Sequence, residues 1–160
     1  MLKTVMKNCL QRSTHRWLTR DQVQIEVQVE IHRAPDVVWP VLVDVERWPE
    51  WTPSVTAVER LDQSAFGIGS RVRIRQPKLK TMVWRVSEFS QGRLFTWDTR
   101  NVGSSTVGSH EIKPTPRGSL VTLTIRQTGV LAPLVNLLLG NLTRRYMRME
   151  AQGLKSRCES

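Results

Sequence analysis

The chain has 160 residues, of which 39% are apolar and 24% charged, and its net charge is +10. This length and composition are typical of one domain with one sizeable core. No apolar run reaches the roughly 20 residues of a membrane-spanning helix, and Cys9 and Cys158 stand at opposite ends without zinc spacing, so an integral membrane protein, a disulfide scaffold and a zinc site are excluded.

The first predicted segment is a basic N-terminal extension, residues 1–22. Its first 20 residues carry five basic side chains and no acidic one, which is half of the chain's excess positive charge. It lacks the continuous apolar stretch and the cleavage site of a secretory signal. We expect a flexible extension followed by a single domain over residues 23–157. A docked helix, an upstream start codon with Met6 as the alternative, an organelle transit peptide and a nucleic-acid arm stay open.

A strand and one or two short helices are predicted next. Apolar and polar residues alternate over residues 23–32, which indicates a strand with one face in water. Pro35 suits the first turn of a helix, and the apolar spacing over residues 38–45 continues it, although Pro40 favours a late start or a kink. The two prolines within residues 48–53 then stop helical winding.

Six more strands follow, separated by turns that contain glycine or proline. We predict them over residues 54–61, 70–76, 82–89, 93–100, 106–113 and 120–128. Their regular spacing indicates consecutive antiparallel pairing. Arg71, Arg73 and Arg75 alternate with apolar residues, so they share one face, which we interpret as solvated.

The apolar period changes at Leu131 and predicts one long amphipathic helix of about 25 residues, to about residue 157. Basic residues gather in its C-terminal half, where cations favour the helix dipole. Gly140 and Gly153 interrupt the pattern, and each should weaken the helix by roughly 1 kcal/mol relative to alanine. Among the predicted elements only this helix is long enough to cover the concave face of a curved sheet. A gap between helix and sheet would form a cavity.

Several motifs in order resemble one known family. Residues 34–39 (A-P-x-x-V-W) and 44–53 (D-x-x-x-W-P-x-W-x-P) resemble the opening signature of the polyketide cyclase/dehydrase and lipid-transport family of the START/Bet v 1-like (SRPBCC) superfamily. Further matches are G-x-G at 67–69 before an arginine-rich strand, Trp84 and Trp97 in consecutive strands, H-x-I-x-P at 110–114, G-S-x-V-T at 118–122 and Gly129 before the last helix. The resemblance covers roughly residues 23–157.

The resemblance implies an α+β helix-grip fold. In this fold a curved seven-stranded antiparallel sheet wraps around a long C-terminal helix, with one or two short helices after the first strand. A deep apolar pocket lies between sheet and helix. The side chains that we expect to line it for ligand binding are Met82, Trp84, Trp97, His110, Ile112, Leu138 and Leu142.

Two residues are weak catalytic candidates. His110 shares a face with Ile112, so it is either a hydrogen-bonded core residue or an acid/base and hydrogen-bonding group for a ligand. Glu88 falls on the face of Met82 and Trp84 by strict alternation, although a solvent-facing or salt-bridged carboxylate is the interpretation we favour. Phosphate-binding and metal-ligand motifs are absent from the sequence, so we expect no cofactor and no metal.

The sequence therefore predicts a protein that binds or transports a small hydrophobic ligand, either a lipid or a polyketide-like molecule. A polyketide cyclase or dehydratase that uses the same pocket, of the aromatase/cyclase kind, is the alternative. A basic adaptor for nucleic acid or an anionic membrane is the second alternative. We expect a cytoplasmic location and no nucleic-acid partner. Peripheral contact with an anionic membrane stays open, as does the choice between monomer and dimer.

Overall fold

A computed structural model describes residues 22–160 of the chain and contains one sheet of seven antiparallel strands. The strands are β1 Gln22–Ile31, β2 Ala57–Arg60, β3 Arg71–Arg75, β4 Met82–Ser90, β5 Leu94–Asn101, β6 Ser104–Thr115 and β7 Gly118–Thr128. Their order in the sheet is β1-β7-β6-β5-β4-β3-β2, so every neighbouring pair except β1 with β7 is also consecutive in sequence. The predicted flexible extension lies outside the described residues, apart from Gln22.

Alternating burial explains why these segments are strands. In β3 the three arginines are exposed while Val72 and Ile74 are buried, as the period-two pattern predicts. In β5 the side chains of Phe95 and Trp97 point into the core. Gly108 lies opposite Trp97 across the β5–β6 pair, and a Cβ there would meet the Trp97 indole nitrogen at 2.6 Å. A side chain at position 108 would therefore displace the indole.

Two short helices follow β1, as predicted. Helix α1 spans Pro35–Val43 and a 3₁₀ helix spans Val45–Glu50. Pro40 lies inside α1, where it removes one backbone donor. The helix nevertheless continues to Val43, and the Asp44 N–H donates a hydrogen bond to the Pro40 carbonyl. Pro40 itself is exposed, whereas Trp39 and Trp48 are buried in the core. The proline therefore faces water while the apolar face packs.

Strand β2 is shorter than the sequence predicts. Residues 52–55 form a turn in place of the first residues of the predicted strand, with Thr52, Ser54 and Val55 buried and Pro53 exposed. The Thr52 and Ser54 hydroxyls are 2.8 Å apart and hydrogen-bonded, and the Val55 N–H bonds to the Thr52 carbonyl. These local bonds satisfy polar groups that a strand would otherwise pair across the sheet.

The final helix, α2, spans Ala132–Glu159 and packs mainly against β1. Its C-terminal half is held in the core by Met147, Ala151, Leu154 and Cys158. Its N-terminal half is largely exposed. The helix is three residues longer than the predicted 25, and both of its glycines are accommodated without a break.

The sheet has two different ends. The proximal end adjoins α1 and carries the turns between β4 and β5 and between β6 and β7. The distal end carries the turns at residues 76–81 and 101–104 and the connection from β7 to α2 at residues 129–131. Strand β1 also begins at the distal end, because Gln22 pairs with Thr128.

Candidate functional site

An aromatic layer covers the concave face of the sheet beneath α2. The His110 ring stacks on Phe95, with centroids 4.3 Å apart and planes at 12°. The Trp97 ring meets the His110 ring edge-on, with centroids 5.3 Å apart. The Trp84 ring is tilted by 37° against Trp97, with centroids 5.5 Å apart. Trp48, from the 3₁₀ helix, packs on both Trp97 and His110 at about 5.5 Å. Aromatic side chains of this size supply large apolar area with defined geometry.

One hydrogen-bonded pair lies within this layer. His110 Nε2 of β6 is 2.9 Å from Glu150 Oε1 of α2. The two side chains are only 7% and 14% exposed. His110 Nδ1 is buried and has no hydrogen-bond partner among residues 22–160. The carboxylate therefore orients the imidazole ring, and the second ring nitrogen is a buried polar atom without a hydrogen-bond partner in the described part of the chain.

Burial between sheet and helix is uneven at the distal end, where Ala132 is fully buried but other residues are not. At the proximal end Ile31, Val121 and Leu154 are fully buried. At the distal end Met82 and Leu142, which belong to β4 and α2, are only half-buried. The edge of the layer between sheet and helix is therefore half-buried at Met82 and Leu142, while the Tyr146 hydroxyl of α2 donates a hydrogen bond to the Pro77 carbonyl in the distal turn at residues 76–81.

The structure brings four of the predicted ligand-binding residues together in the interior. Trp84, Trp97, His110 and Ile112 are all buried on the concave face. Met82 and Leu142 stand half-buried at the distal edge of the same space.

Leu138 lies outside this space. It is 70% exposed, so the expectation that it lines the pocket is wrong for this structure. The buried stripe of α2 runs through Ala132, Gly140 and Met147 instead. Because small residues occupy the inward face in the first half of α2, the larger leucines of this half lie on its outward face.

Strict alternation assigns Glu88 to the wrong face, although its exposure agrees with the solvent-facing carboxylate that the sequence analysis favours. A β-bulge between Val86 and Glu88 shifts the register of β4 against β5. Such a bulge inserts one extra residue and reverses the alternation beyond it. Glu88 is therefore exposed, next to the Thr96 hydroxyl at 3.4 Å, and does not share the face of Met82 and Trp84.

Glu150 is the site residue that sequence reasoning missed. It lies three residues after Met147 and four before Leu154, which is the spacing of the buried face of α2. A carboxylate at that spacing is a detectable sign of a buried acid, but no sequence pattern connects it with His110 of β6.

A groove of about 650 Å³ lies beside this interior, between the loop that follows the 3₁₀ helix and α2. Its wall includes the apolar side chains of Trp51, Pro53 and Met149 and the two cations Arg145 and Arg148. The predicted ligand-binding residues do not line it.

The described residues contain neither a metal cluster nor a membrane-spanning helix. Between residues 22 and 160 no three histidine, cysteine or acidic side chains come together as a metal site would require. In the same range no helix has the length and hydropathy to cross a bilayer.

Solved structures share this architecture. The Zhui aromatase/cyclase from Streptomyces sp. R1128 is 15% identical, with a TM-score of 0.72 over 86% of this chain and 94% of that chain. The protein TTHA0849 from Thermus thermophilus is 19% identical, with a TM-score of 0.66 over 86% and 96%. Ara h 8.0201 is 10% identical, with a TM-score of 0.67 over 86% and 97%. These likenesses show a shared helix-grip fold.

Comparison of the amino-acid sequence with known proteins identifies the family of this chain. A search of curated protein sequences finds no significant match. The family model described as polyketide cyclase / dehydrase and lipid transport matches residues 22–159, nearly the whole chain. Together with the seven-stranded sheet and long C-terminal helix, this match shows that the chain belongs to the polyketide cyclase / dehydrase and lipid transport family of helix-grip proteins.

Proposed function

We propose that this protein binds a small hydrophobic molecule, a lipid or a polyketide-like compound, between the concave face of the sheet and the distal half of α2. The observation that carries the proposal is His110 Nδ1, a polar atom buried in the aromatic layer without a hydrogen-bond partner among residues 22–160. In a core that serves packing alone such an atom is ordinarily paired, and Met82 and Leu142 at the edge of this layer keep contact with solvent.

The walls of this space suit an apolar guest. Trp84, Trp97 and Ile112 supply the interior surface, and Met82 and Leu142 lie at its edge. A methionine adapts its shape to different guests. Removal of the ligand's apolar surface from water supplies most of the affinity, at roughly 25 cal/mol per Å².

His110 places one polar group, held in a fixed orientation, in this apolar space. Glu150 holds the Nε2 side of the ring, so the buried Nδ1 is available to a carbonyl or hydroxyl of the ligand. Because an unpaired buried polar atom is costly, a ligand that bonds it gains more than one that leaves it unpaired.

A pair of neighbouring variants tests the site. We predict that Met82→Gln weakens binding of the fluorescent acyl chain cis-parinaric acid by about tenfold, because the exchange puts a polar amide in place of an apolar contact. Val83→Thr is the matched control, because Val83 lies next in β4 on the outer face and is 42% exposed. Fluorescence titration measures both. Equal affinity of the two variants would remove this space as the binding site.

The second candidate function is an enzyme of the cyclase or dehydratase type. The His110–Glu150 pair favours it, because a carboxylate that orients an imidazole is a common acid/base arrangement. Glu88 no longer contributes to this hypothesis, since it is on the outer surface.

His110→Gln separates the two functions. If the protein is a cyclase, this variant loses turnover of a poly-β-ketone substrate but still binds cis-parinaric acid. Turnover is followed by the ultraviolet absorbance of the aromatic product. Undiminished turnover in His110→Gln would exclude the acid/base role of His110, and absence of turnover in the wild type leaves ligand binding as the function.

A further inference from the structure

Apolar side chains are gathered on the outside of the distal end. Six of them are between 41% and 94% exposed: Val102, Val130, Leu131, Leu134, Leu137 and Leu138. We call these six residues the distal patch. Single exposed apolar residues are ordinary, but a contiguous group of this kind marks an interaction surface.

Hydrogen bonds and packing make the patch contiguous. The Leu131 N–H bonds to the Gly103 carbonyl at 3.1 Å, which joins the start of α2 to the β5–β6 turn. The Leu131 side chain lies directly over Gly103, the residue after Val102. Leu134 and Leu138 follow Leu131 at helical spacings of three and four, so they continue the same surface along α2.

Within residues 22–160, the charged side chains of the distal turns and of the first half of α2 are all positive. No acidic residue occurs between Glu111 and Glu150 in the sequence, and Glu150 itself is paired with His110 in the interior. The adjoining distal turns carry Lys78, Lys80 and Arg100, all exposed. Arg144 and Arg145 follow on α2, about 10 Å along the helix axis from Leu137 and Leu138.

The N-terminal extension joins the molecule at the same place. Gln22 pairs with Thr128, two residues before Val130. Residues 1–21 add five more basic side chains and one acidic one, Asp21, which gives this segment a net charge of +4. The chain that precedes Gln22 is therefore net positive.

We propose that the distal patch docks on the surface of an anionic lipid bilayer. Its leucine and valine side chains enter the boundary between headgroups and acyl chains, and the surrounding lysines and arginines bind the acidic headgroups. Charge decides this choice of occupant. A second copy docked through the same patch would place these cations against their equivalents, and residues 1–21 are net positive as well, whereas an acidic lipid surface neutralises both. Docking of the distal patch does not depend on a ligand in the interior.

Vesicle flotation with the full chain tests the proposal. We expect wild-type protein to float with vesicles of phosphatidylcholine containing about one third phosphatidylserine, and to float poorly with phosphatidylcholine alone. The double variant Leu137→Glu/Leu138→Glu should bind the anionic vesicles on the order of tenfold more weakly or less, since it adds negative charge and removes apolar area. Both positions are at least 70% exposed, so the fold is retained.

Ile68→Glu is the control for a carboxylate added outside the patch, with one added negative charge where the double variant has two. Ile68 is 72% exposed, as the patch leucines are, but it lies in the β2–β3 loop at the proximal end. It should bind vesicles like the wild type. Binding of the double variant equal to that of Ile68→Glu would overturn the proposal, because charge alone would then account for adsorption. Failure of the wild type to bind anionic vesicles would overturn it too, as would light scattering that shows a wild-type dimer and a monomeric double variant.

Discussion

Single carboxylates at the proximal end hold the last turns of α2 in place. Glu159 Oε1 accepts a hydrogen bond from the His32 backbone N–H at 2.7 Å and lies 3.2 Å from Lys155 Nζ. The His32 N–H, with help from Lys155, holds the pKa of Glu159 below its ordinary value of 4.5. Glu50 likewise bonds Arg47 and reaches Arg157 of α2, and its pKa is also lowered, mainly by Arg47.

These lowered pKa values predict a loss of stability in acid. A carboxyl group whose pKa is lower in the folded than in the unfolded chain contributes stability above its ordinary pKa, and that contribution is lost as the pH falls through the lowered value. We therefore expect the free energy of unfolding to decrease below about pH 4.5. Urea denaturation of Glu159→Gln should show a smaller decrease over the same range. An identical pH profile for variant and wild type would mean that Glu159 adds nothing.

At the scale of elements, the two halves of α2 differ in how closely the backbone of another segment approaches them. The C-terminal half approaches the loop after the 3₁₀ helix so closely that a Cβ on Gly153 would overlap the Trp51 carbonyl oxygen. A Cβ on Gly140 would come close only to side chains, those of Asn136 and Arg144, and the nearest atom is Asn136 Oδ1 at 2.5 Å. The backbone at Trp51 cannot yield easily, whereas the Asn136 side chain can rotate.

The two glycines therefore predict opposite effects on stability. Gly140→Ala should raise the free energy of unfolding by up to about 1 kcal/mol, the usual gain of alanine over glycine in a helix. Gly153→Ala should lower it by about 1–3 kcal/mol, because α2 must move away from Trp51. Chemical denaturation measures both. A stabilising Gly153→Ala would contradict the close approach of helix and loop.

The strands and helices could be predicted because their patterns are local. Alternation marks the seven strands and a change of period at Leu131 marks α2, since burial on one face imposes these periods on the sequence. The β-bulge at Val86/Glu88 could not be predicted, because it leaves no residue pattern of its own. The prediction for the inward stripe of α2 is wrong at Leu138, since small residues that allow close packing carry little hydrophobic signal.

The candidate site likewise has one part that the sequence predicts and one part that it does not. Burial of Trp84, Trp97 and His110 on the concave face follows from their strand positions and the sheet's curvature. The contact between His110 and Glu150 joins β6 to α2 across 40 residues of sequence. Such a pair depends on how the helix crosses the sheet, which no local pattern in one sequence specifies.

At the scale of the whole molecule, the two proposals meet at the distal end. The half-buried edge at Met82 and Leu142 lies at the same end of the molecule as the distal patch. A bilayer bound at the patch would lie next to that edge, and an apolar ligand could pass between them with little exposure to water. Vesicle binding and ligand binding are nevertheless measured separately, so each proposal can fail alone.

Native mass spectrometry of the full chain, purified without detergent, tests the central claim most directly. We predict one small apolar adduct per chain, released on denaturation, retained in Val83→Thr and reduced in Met82→Gln. A bare mass for the wild type, still bare after saturation with cis-parinaric acid, would contradict a ligand site between the sheet and α2.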